Sequence, residues 1–452
     1  MATYQADYLI VGNSAAGVSA AEAIRSRDAS SSILMLSREP YPAYGRPLIS
    51  YLIEGKTTEE KIWLKDAGFY ERNDLETLFG PDFEAVKLDP EAHEVLLANG
   101  EDVSYGSCLL ACGSNPFTPP IQGLEGRSNV FTFMTLDDAK GAWEAAEEAT
   151  SRAHAQGRES RVVVVGGGLI GLKAAEAMSH HVDEVLVLEL APRILPAVLD
   201  AQGAGILQDI LAGHGITCKP GVSASEFKGE GDAVSSAILT NGEEVECDMV
   251  IAAVGVRPNS ALAVDAGAEQ GRGLICDERL RTSLPDVYAA GDLVQVTDVL
   301  DGAQRPLALW SNAMRQGKIA GLQMTGVPDA ELFKGSFAVN AVDFFDASLL
   351  TSGVINPPED GGYDVRTEVE GLTYAKFVTK DGRLCGYILL NRPDNAGIYT
   401  SLIAGRMPLD ELDGAMFDSA PANLDFSSED RWSRLHKGYP SDRNKLGWKE
   451  RA

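Results

Sequence analysis

The sequence contains few cysteines, and none of them form a C-x-x-C pair. The six cysteines stand at positions 108, 112, 218, 247, 276 and 385, and their spacing is not that of metal ligands. Free cysteine commonly packs as a small apolar side chain, and intracellular thiols are kept reduced. The sequence therefore predicts reduced, mostly buried thiols, with neither a metal site nor a disulfide framework.

Targeting and membrane segments are also missing from the sequence. The N-terminal stretch MATYQADYLI lacks the basic region and apolar core of a secretory signal. No run reaches the roughly 18 uninterrupted apolar residues of a membrane span, because Lys173 interrupts the best candidate. We expect a cytoplasmic protein without membrane insertion.

Positive charge is scarce over most of the chain. The sequence has 39 Lys and Arg against 66 Asp and Glu, which gives a formal net charge of −27. Such a field repels nucleic acid and anionic membranes, so neither is an expected partner. The end of the chain differs, because residues 431–452 carry seven Lys or Arg against only Asp442 and Glu450. We treat residues 415–452, which also contain tryptophan and tyrosine, as a basic aromatic tail.

Short apolar runs alternate with helical patterns along much of the sequence. The 452 residues are 44% hydrophobic and 23% charged, which is ordinary for a globular protein of about three domains. The stretches 7–37 and 160–189 each read as a strand, a helix and a second strand. After residue 325 the pattern changes to antiparallel strands around the KDG turn at 380–382, followed by a helix.

The central glycine motif, VVVVGGGLIG at 162–171, predicts a dinucleotide site. In a G-x-G-x-x-G turn the first glycine permits the tight turn and the second admits a pyrophosphate. The third allows close packing of helix on strand, and the helix N-terminus attracts the anion. The alternative is a purely structural glycine turn. The predicted binding residues here are Gly166, Gly168, Leu169, Ile170 and Gly171.

Glu189 ends the strand that follows the central motif, about 20 residues after the glycines, where an acid accepts hydrogen bonds from a ribose 2′-OH. A carboxylate at this position repels the 2′-phosphate of NADP, so NAD is the preferred cofactor. Arg193 is close to Glu189 in sequence, and an arginine there could bind the 2′-phosphate, so NADP remains an alternative cofactor.

A second glycine turn, YLIVGNSAAG at 8–17, replaces the middle glycine with Ser14. Serine is small enough for a phosphate to approach the backbone, and its hydroxyl is a potential donor. The predicted binding residues are Gly12, Ser14, Ala16 and Gly17, with Glu39 after the next strand. Two such turns in one chain predict two bound dinucleotides, with electrons passing between them.

Several motifs resemble those of the FAD-dependent pyridine nucleotide-disulfide oxidoreductases. The resemblance covers residues 5 to about 410 and is closest to one branch of the family. That branch holds rubredoxin reductases, ferredoxin reductases of oxygenase systems, the NADH-binding part of nitrite reductase, and NADH oxidases. The supporting motifs are EPYPAYGRPLIS (39–50), LLACGSNP (109–116), IAAVGVRPNSAL (251–262), SLPDVYAAGDLV (283–294) and WSNAMRQGKIAG (310–321).

The resemblance implies specific roles for residues in these motifs. Glu39 would hold the adenosine ribose, Arg46 and Pro47 would line FAD, and Asp292 would bind the ribityl chain. The alternative for Asp292 is a simple helix cap. The cofactor-binding residues implied by the remaining motifs are Ala111, Cys112, Gly113, Gly255 and Gly291.

The resemblance also implies the domain organisation. It predicts an α/β chain with two Rossmann-like domains, for FAD and NAD(H), and a C-terminal α+β interface domain. The expected FAD domain is 1–135 and 250–325, the NAD domain 136–249, and the interface domain 326–414.

The sequence departs from the family at two places. Gly45, Arg46 and Pro47 stand where other members carry redox-active cysteines, so disulfide and peroxide reduction are not expected. The oxygenase-type reductases usually have Lys at the position of Tyr51 and Glu at that of Lys173. We hypothesise that Lys173 supplies positive charge at the nicotinamide–flavin interface; a surface or packing lysine is the alternative.

The predicted activity is transfer of electrons from NADH through FAD to an external redox partner. An iron–sulfur protein or a subunit of a larger complex, such as a 2-oxoacid dehydrogenase, is the expected acceptor, with the tail at 431–452 as its docking segment. The tail could instead wrap its own molecule or a dimer mate. A homodimer or a hetero-oligomeric complex is expected. The alternative functions are an NADH oxidase that reduces oxygen and a non-catalytic flavoprotein scaffold.

Overall fold

The computed structural model of the protein describes residues 2–327 and 330–411. The elements up to residue 131 are β1 (Tyr4–Val11), α1 (Ala15–Arg25), β2 (Ile33–Ser37), α2 (Ile49–Ile53), α3 (Glu59–Ile62), α4 (Phe69–Arg72), β3 (Leu75–Phe79), β4 (Ala85–Asp89), β5 (Glu94–Leu97), β6 (Asp102–Leu110), β7 (Ser114–Pro116) and β8 (Val130–Phe131). The next are α5 (Leu136–Ala155), β9 (Arg161–Val165), α6 (Leu169–Met178), β10 (Glu184–Glu189), α7 (Ala201–Gly213), β11 (Ile216–Pro220), β12 (Ala224–Lys228), β13 (Ser236–Leu239), β14 (Glu244–Glu246) and β15 (Met249–Ala252).

The remaining elements follow the second glycine-rich part of the chain. They are β16 (Val256–Pro258), α8 (Ala261–Val264), β17 (Val287–Ala289), β18 (Gln295–Thr297), β19 (Gln304–Pro306), α9 (Trp310–Met324), β20 (Val339–Phe344), β21 (Ala347–Gly353), β22 (Asp364–Glu370), β23 (Thr373–Lys380), β24 (Arg383–Leu390) and α10 (Ala396–Gly405). Short 3-10 helices lie at Arg46–Leu48, Pro81–Phe83 and Leu409–Glu411. Within the described part of the chain, no helix is both long and apolar enough to cross a bilayer.

The chain forms two compact units. The first contains the residues up to Ala197 together with Gln208–Ala338, and the second contains Val198–Leu207 together with the described residues from Val339. The first unit thus holds both glycine turns. The second begins later than the predicted boundary at 326 and includes the start of α7.

A seven-stranded sheet surrounds the first glycine turn. Its order is β3-β2-β1-β6-β5-β4, with β17 also paired to β6. The pairs β3–β2, β2–β1, β1–β6 and β6–β17 are parallel, whereas β4, β5 and β6 form an antiparallel meander. Strand β2 is an almost continuous apolar run that is buried on both faces, as expected for a covered parallel sheet.

A five-stranded, fully parallel sheet surrounds the second glycine turn. Its order is β11-β10-β9-β15-β8, and the four valines of β9 are buried. Strand β15 (Met249–Ala252) pairs with both β8 (Val130–Phe131) and β9. Strands β8 and β15 therefore belong to the sheet of the predicted NAD domain, 136–249. The predicted limits at 135 and 250 therefore cut across this sheet.

Two short strands connect the two sheets of the first unit. Strand β7 follows the last long strand of the seven-stranded sheet, and β16 follows the central part of the five-stranded one. The two pair in antiparallel fashion, with Val256 opposite Pro116 and Pro258 opposite Ser114. The segment that leaves the seven-stranded sheet and the segment that returns to it are thus held side by side.

The second unit contains a five-stranded antiparallel sheet of order β20-β21-β24-β23-β22. The KDG hairpin is confirmed, because Asp381 and Gly382, both with positive φ, join β23 to β24. Helix α10 confirms the predicted helix after it. The basic aromatic tail at 415–452 lies outside the described residues, as does its predicted docking role.

Helices α1 and α9 pack closely within the first unit. A Cβ on Gly317 would lie 2.0 Å from the carbonyl oxygen of Ala16, and one on Gly321 would lie 2.5 Å from that of Ala20. The small residues let the two helix backbones approach, since any larger side chain would separate them. Helix α1 is thereby fixed in place directly after the first glycine turn.

This close approach predicts that Gly317→Ala lowers the free energy of unfolding by about 2 kcal/mol, as overpacking does. Gly205→Ala is a matched control, because a Cβ there meets nothing within 4 Å. We expect this helical control to be neutral or stabilising by about 0.5–1 kcal/mol. Urea unfolding followed by circular dichroism measures both, and equal midpoints for the two variants would contradict the packing argument.

Candidate cofactor-binding site

The two glycine turns have nearly the same backbone geometry. Gly12 has φ +127°, and a Cβ on it would lie 2.2 Å from the carbonyl oxygen of Ala111. Gly166 has φ +115°, and a Cβ on it would lie 2.3 Å from the carbonyl oxygen of Ala253. In each turn the carbonyl that lies close to the glycine belongs to the residue just after a neighbouring parallel strand, β6 for Ala111 and β15 for Ala253. Only glycine satisfies both the positive φ and this contact.

The last glycine of each motif packs its helix against the turn. A Cβ on Gly17 would lie 1.9 Å from the carbonyl oxygen of Gly12, and one on Gly171 would lie 1.9 Å from that of Gly166. The helix axis therefore passes directly over the end of its own strand. This places the helix N-terminus at the carboxyl edge of each sheet.

Both helix N-termini fit a pyrophosphate. Ser14 is the N-cap of α1, yet within residues 2–327 and 330–411 its side chain makes no capping hydrogen bond. Gly168 is the N-cap of α6, and a Cβ there meets nothing within 4 Å. The first-turn N–H groups, which include those of Ala16, Leu169 and Ile170, have no partner within their own helices and favour an anion.

Glu189 is fixed by the backbone beside the second turn. Its Oε2 accepts a hydrogen bond from the N–H of Gly167 at 2.7 Å, and its Oε1 accepts one from the N–H of Ala191 at 2.7 Å. A Cβ on Gly167 would lie 2.9 Å from the Cβ of Glu189. The sequence motif treats position 167 as variable, so sequence reasoning missed the need for glycine there. The run of three glycines at 166–168 was the signal that could have shown it. Arg193 donates to the carbonyl oxygen of Pro196 at 3.4 Å.

Glu39 and Arg46, both predicted to bind FAD, lie next to each other in the structure; the binding roles themselves stay predictions. They form an ion pair, and the hydroxyl of Tyr44 donates to Oε2 of Glu39 at 2.6 Å. The N–H of Leu136 in turn donates to the Tyr44 hydroxyl at 3.0 Å. Pro47 follows in the short 3-10 helix Arg46–Leu48. Sequence reasoning missed Tyr44, because only the folded chain brings residues 44 and 136 together.

Asp292 is held at the end of the seven-stranded sheet. The hydroxyl of Ser114 donates to its Oδ2 at 3.1 Å, and Oε1 of Gln316 accepts from the N–H of Gly291 at 2.7 Å. Burial raises the pKa of Asp292, against the opposing effects of the Ser114 hydrogen bond and the Arg46 charge. The alternative role as a helix cap is wrong, because β18 and β19 follow and the N-cap of α9 is Leu309.

Gly113 and Gly255 lie at the two connections between the sheets. The carbonyl of Gly113 accepts from the N–H of Asn259 at 2.9 Å, and the carbonyl of Gly255 accepts from the N–H of Phe117 at 2.9 Å. These bonds extend the ribbon of β7 and β16 at both ends. Both glycines have positive φ, so they also turn the chain at these points.

Cys112 behaves as a packed thiol. Its Sγ donates weakly to the carbonyl oxygen of Val11 at 3.7 Å. Burial raises its pKa to about 11, despite the nearby positive charge of Arg38. Burial likewise raises the pKa of Cys218, Cys247 and Cys276 to about 12. A thiolate nucleophile is not available at neutral pH at any of these positions.

Lys173 lies where the two glycine-turn regions meet. It is on α6, and its Nζ is 4.5 Å from the ring centroid of Tyr51, which belongs to α2. The pair expected from the family as Lys and Glu is therefore a cation–π contact in this chain. The charge that Lys173 was predicted to supply to the nicotinamide stays a prediction.

The family comparison agrees with this geometry. Residues 6–317 match the model of the pyridine nucleotide-disulphide oxidoreductase family. The chain belongs to this family. It is an oxidoreductase and a flavoprotein that uses FAD and NAD(H). The predicted α/β fold with two Rossmann-like parts is confirmed by its sheets and by the solved structures it resembles.

Individual relatives cover most of the chain. It is 29% identical over 406 residues to the NADH-dependent phenylglyoxylate dehydrogenase subunit epsilon of Aromatoleum evansii, covering 90% of this chain and 93% of that protein. It is 32% identical over 326 residues to an NADH oxidase of Methanocaldococcus jannaschii, covering 71% and 70%. The structure of the ferredoxin reductase for the CYP199A2 system of Rhodopseudomonas palustris superposes with a TM-score of 0.75 at 27% identity, covering 85% and 91%.

The raised pKa of the partly buried Cys112 predicts slow alkylation of the native protein. With a pKa of about 11, about one Cys112 thiol in a thousand is ionised at pH 8. Raising the pH from 7 to 10 increases the thiolate fraction, so its rate of reaction with iodoacetamide should rise about tenfold per pH unit. Mass spectrometry of the labelled peptides measures this, with urea-unfolded protein as the fully reactive control. Rapid labelling of native Cys112 at pH 7 would contradict the argument.

The anchored carboxylate predicts that Glu189→Ala weakens the preference for NADH over NADPH. Loss of a charged ribose acceptor should lower this ratio about tenfold, by slowing reduction with NADH and removing repulsion of the 2′-phosphate. The measured quantity is the ratio of second-order rate constants for anaerobic flavin reduction by the two nucleotides. General damage cancels in this ratio, so an unchanged ratio would show that Glu189 does not select the cofactor.

Proposed function

We propose that the chain is an NADH-oxidising electron-transfer subunit whose acceptor is an iron–sulfur protein or an iron–sulfur subunit of a larger complex. The first glycine turn would hold FAD, with Glu39, Arg46, Pro47 and Asp292. The second would hold NADH, with Glu189 on the ribose. When bound, FAD supplies the ability to take two electrons from NADH and release them to an acceptor.

One observation carries this proposal: two helix N-termini whose geometry suits an anion lie in one compact unit, and none of the cysteines in its described part has a lowered pKa. Arg46 and Pro47 stand where a redox cysteine would be expected, and the pKa of Cys112 is about 11. Among the described residues, which include all six cysteines, none forms a disulfide that electrons from NADH could reduce. An external acceptor is needed.

The relatives support a protein acceptor. The subunit epsilon of phenylglyoxylate dehydrogenase matches this chain over nearly its whole length, and by its name it serves an NADH-dependent complex. The ferredoxin reductase shares the fold at 27% identity. We further propose that the protein is cytoplasmic and acts with a redox partner, as a homodimer or within a hetero-oligomer; the name of the subunit epsilon supports the hetero-oligomer.

The residues of the chain act mainly by binding and orientation. Glu189 aligns the nucleotide through its backbone anchors. Asp292, held by the Ser114 hydroxyl, would hydrogen-bond the flavin cofactor; burial raises its pKa, and the Ser114 hydrogen bond and the Arg46 charge oppose that rise. Positioning of the two reactants in one site removes much of the entropic cost of bringing them together.

A second candidate function is an NADH oxidase that reduces oxygen. It is favoured by the relative of that name at 32% identity. The absence of a reactive thiol within the described residues disfavours complete reduction of oxygen to water and leaves peroxide as the product. A scaffold without catalysis is disfavoured by the two intact glycine turns.

Anaerobic stopped-flow reduction of the flavin tests the proposal. We expect fast bleaching by NADH, slower bleaching by NADPH, slow reoxidation by oxygen, and faster reoxidation by a [4Fe–4S] ferredoxin used as the probe acceptor. Reoxidation by oxygen that is as fast as by ferredoxin would instead support the oxidase. A flavin that NADH does not bleach would overturn both catalytic proposals and leave the scaffold.

A further inference from the structure

Two helices from the two glycine-turn regions meet through charged side chains. Glu54 and Lys56 directly follow α2, and Lys173 and Glu176 lie on α6, the helix that begins at the second glycine turn. We call these four residues the four-charge cluster. Tyr51, on α2, borders it.

The four charges alternate in space. The Nζ of Lys56 is 2.7 Å from Oε2 of Glu54 and 3.2 Å from Oε1 of Glu176. The Nζ of Lys173 is 2.5 Å from Oε2 of Glu176 and 3.3 Å from Oε1 of Glu54. Each ammonium group thus contacts both carboxylates, once on its own side and once across the two helices.

The carboxylates of the cluster depend on these lysines. The side chains of Glu54 and Glu176 are 0% exposed, whereas that of Lys173 is 13% exposed and that of Lys56 is 43% exposed. Among the described residues, neither oxygen of Glu54 receives an aligned hydrogen bond. A buried carboxylate is strongly unfavourable unless an opposite charge compensates it. Removal of one lysine alone would leave a net negative charge in the interior.

Each side of the contact contributes one neutral pair of charges. Glu54 and Lys56 balance each other on the α2 side, as Lys173 and Glu176 do on α6. Because the whole cluster has no formal net charge, the positive charge of Lys173 is compensated nearby. This balance indicates that Lys173 holds α2 and α6 together and does not act mainly by supplying positive charge to the nicotinamide.

Tyr51 completes the contact. Its ring centroid lies 4.5 Å from the Nζ of Lys173 and 5.7 Å from that of Lys56. Both ammonium groups are within the range of cation–π attraction, which is strongest where water is excluded. The ring therefore contacts one lysine from each side of the cluster.

We infer that Tyr51 and the four-charge cluster are positioning residues. They fix α6 and its glycine turn against α2 during hydride transfer. This role rests on the proposed function, in which α6 binds NADH. The cluster acts through helix placement, so it sets the rate of transfer more than the affinity for the nucleotide.

Substitution of Tyr51 in the FAD-loaded protein tests this role. Tyr51→Leu removes the ring and should lower the limiting rate constant of flavin reduction at saturating NADH about tenfold, with little change in the dissociation constant for NADH. Tyr51→Phe keeps the ring and should retain the rate. Tyr363→Leu is a matched control, because Tyr363 makes a similar contact with Lys380 at 4.7 Å in the second unit; it should leave the rate unchanged.

Lysine variants distinguish positioning from direct charge. Lys173→Met leaves excess negative charge, whereas Lys173→Met with Glu176→Gln removes a neutral pair. We expect the single variant to have a thermal unfolding midpoint several degrees below that of the double variant, and a lower flavin-reduction rate. Equal unfolding midpoints of the two variants would show that charge compensation within the cluster does not stabilise the contact, and would overturn the positioning role. Equal losses of the flavin-reduction rate in both variants would show instead that the charge of Lys173 acts directly.

The outcomes also separate this inference from the proposed function. A wild-type flavin that NADH does not reduce would overturn the proposed function and, with it, the positioning role. Normal reduction of the wild type together with an unaffected Tyr51→Leu, or an equal loss in Tyr51→Phe, would overturn only the positioning role.

Discussion

The close approach of a strand-end carbonyl to a glycine organises both candidate nucleotide sites of this protein. The carbonyl of Ala111 presses on Gly12, and that of Ala253 presses on Gly166. Each contact leaves no space for a side chain and forces the chain to turn sharply from strand into helix. The helix then begins at the carboxyl edge of the sheet, where its free N–H groups favour a pyrophosphate. The open N-termini, the anchored Glu189 and the placement of α6 all depend on this turn.

Three carboxylates of this acidic chain are held by different means. Backbone N–H groups hold Glu189, and a tyrosine and an arginine hold Glu39. Among the described residues, Glu54 is held by ion pairs with lysines. A carboxylate held by backbone groups keeps a fixed direction, which suits recognition of a ribose. One held by lysines depends on two elements staying together, which suits a contact between helices.

Much of the fold was predictable from local pattern. The valine run before Gly166 and the apolar run at Ile33–Ser37 are long and uninterrupted, as buried parallel strands require. The KDG turn identified its hairpin because Asp381 and Gly382 tolerate positive φ. The domain limits were less accessible, because β8 and β15 are short and join the five-stranded sheet by long-range pairing that no local pattern reports.

By itself, the sequence determined the two glycine turns, the acid after each second strand and the lack of a cysteine at Gly45–Pro47, since these follow from residue type and spacing. Tertiary structure alone decided which side chains support them. Tyr44 reaches Leu136, Gln316 receives the N–H of Gly291, and Tyr51 faces Lys173. These partners are distant in sequence, and their contacts arise only when packed helices and paired strands bring them within a few ångströms.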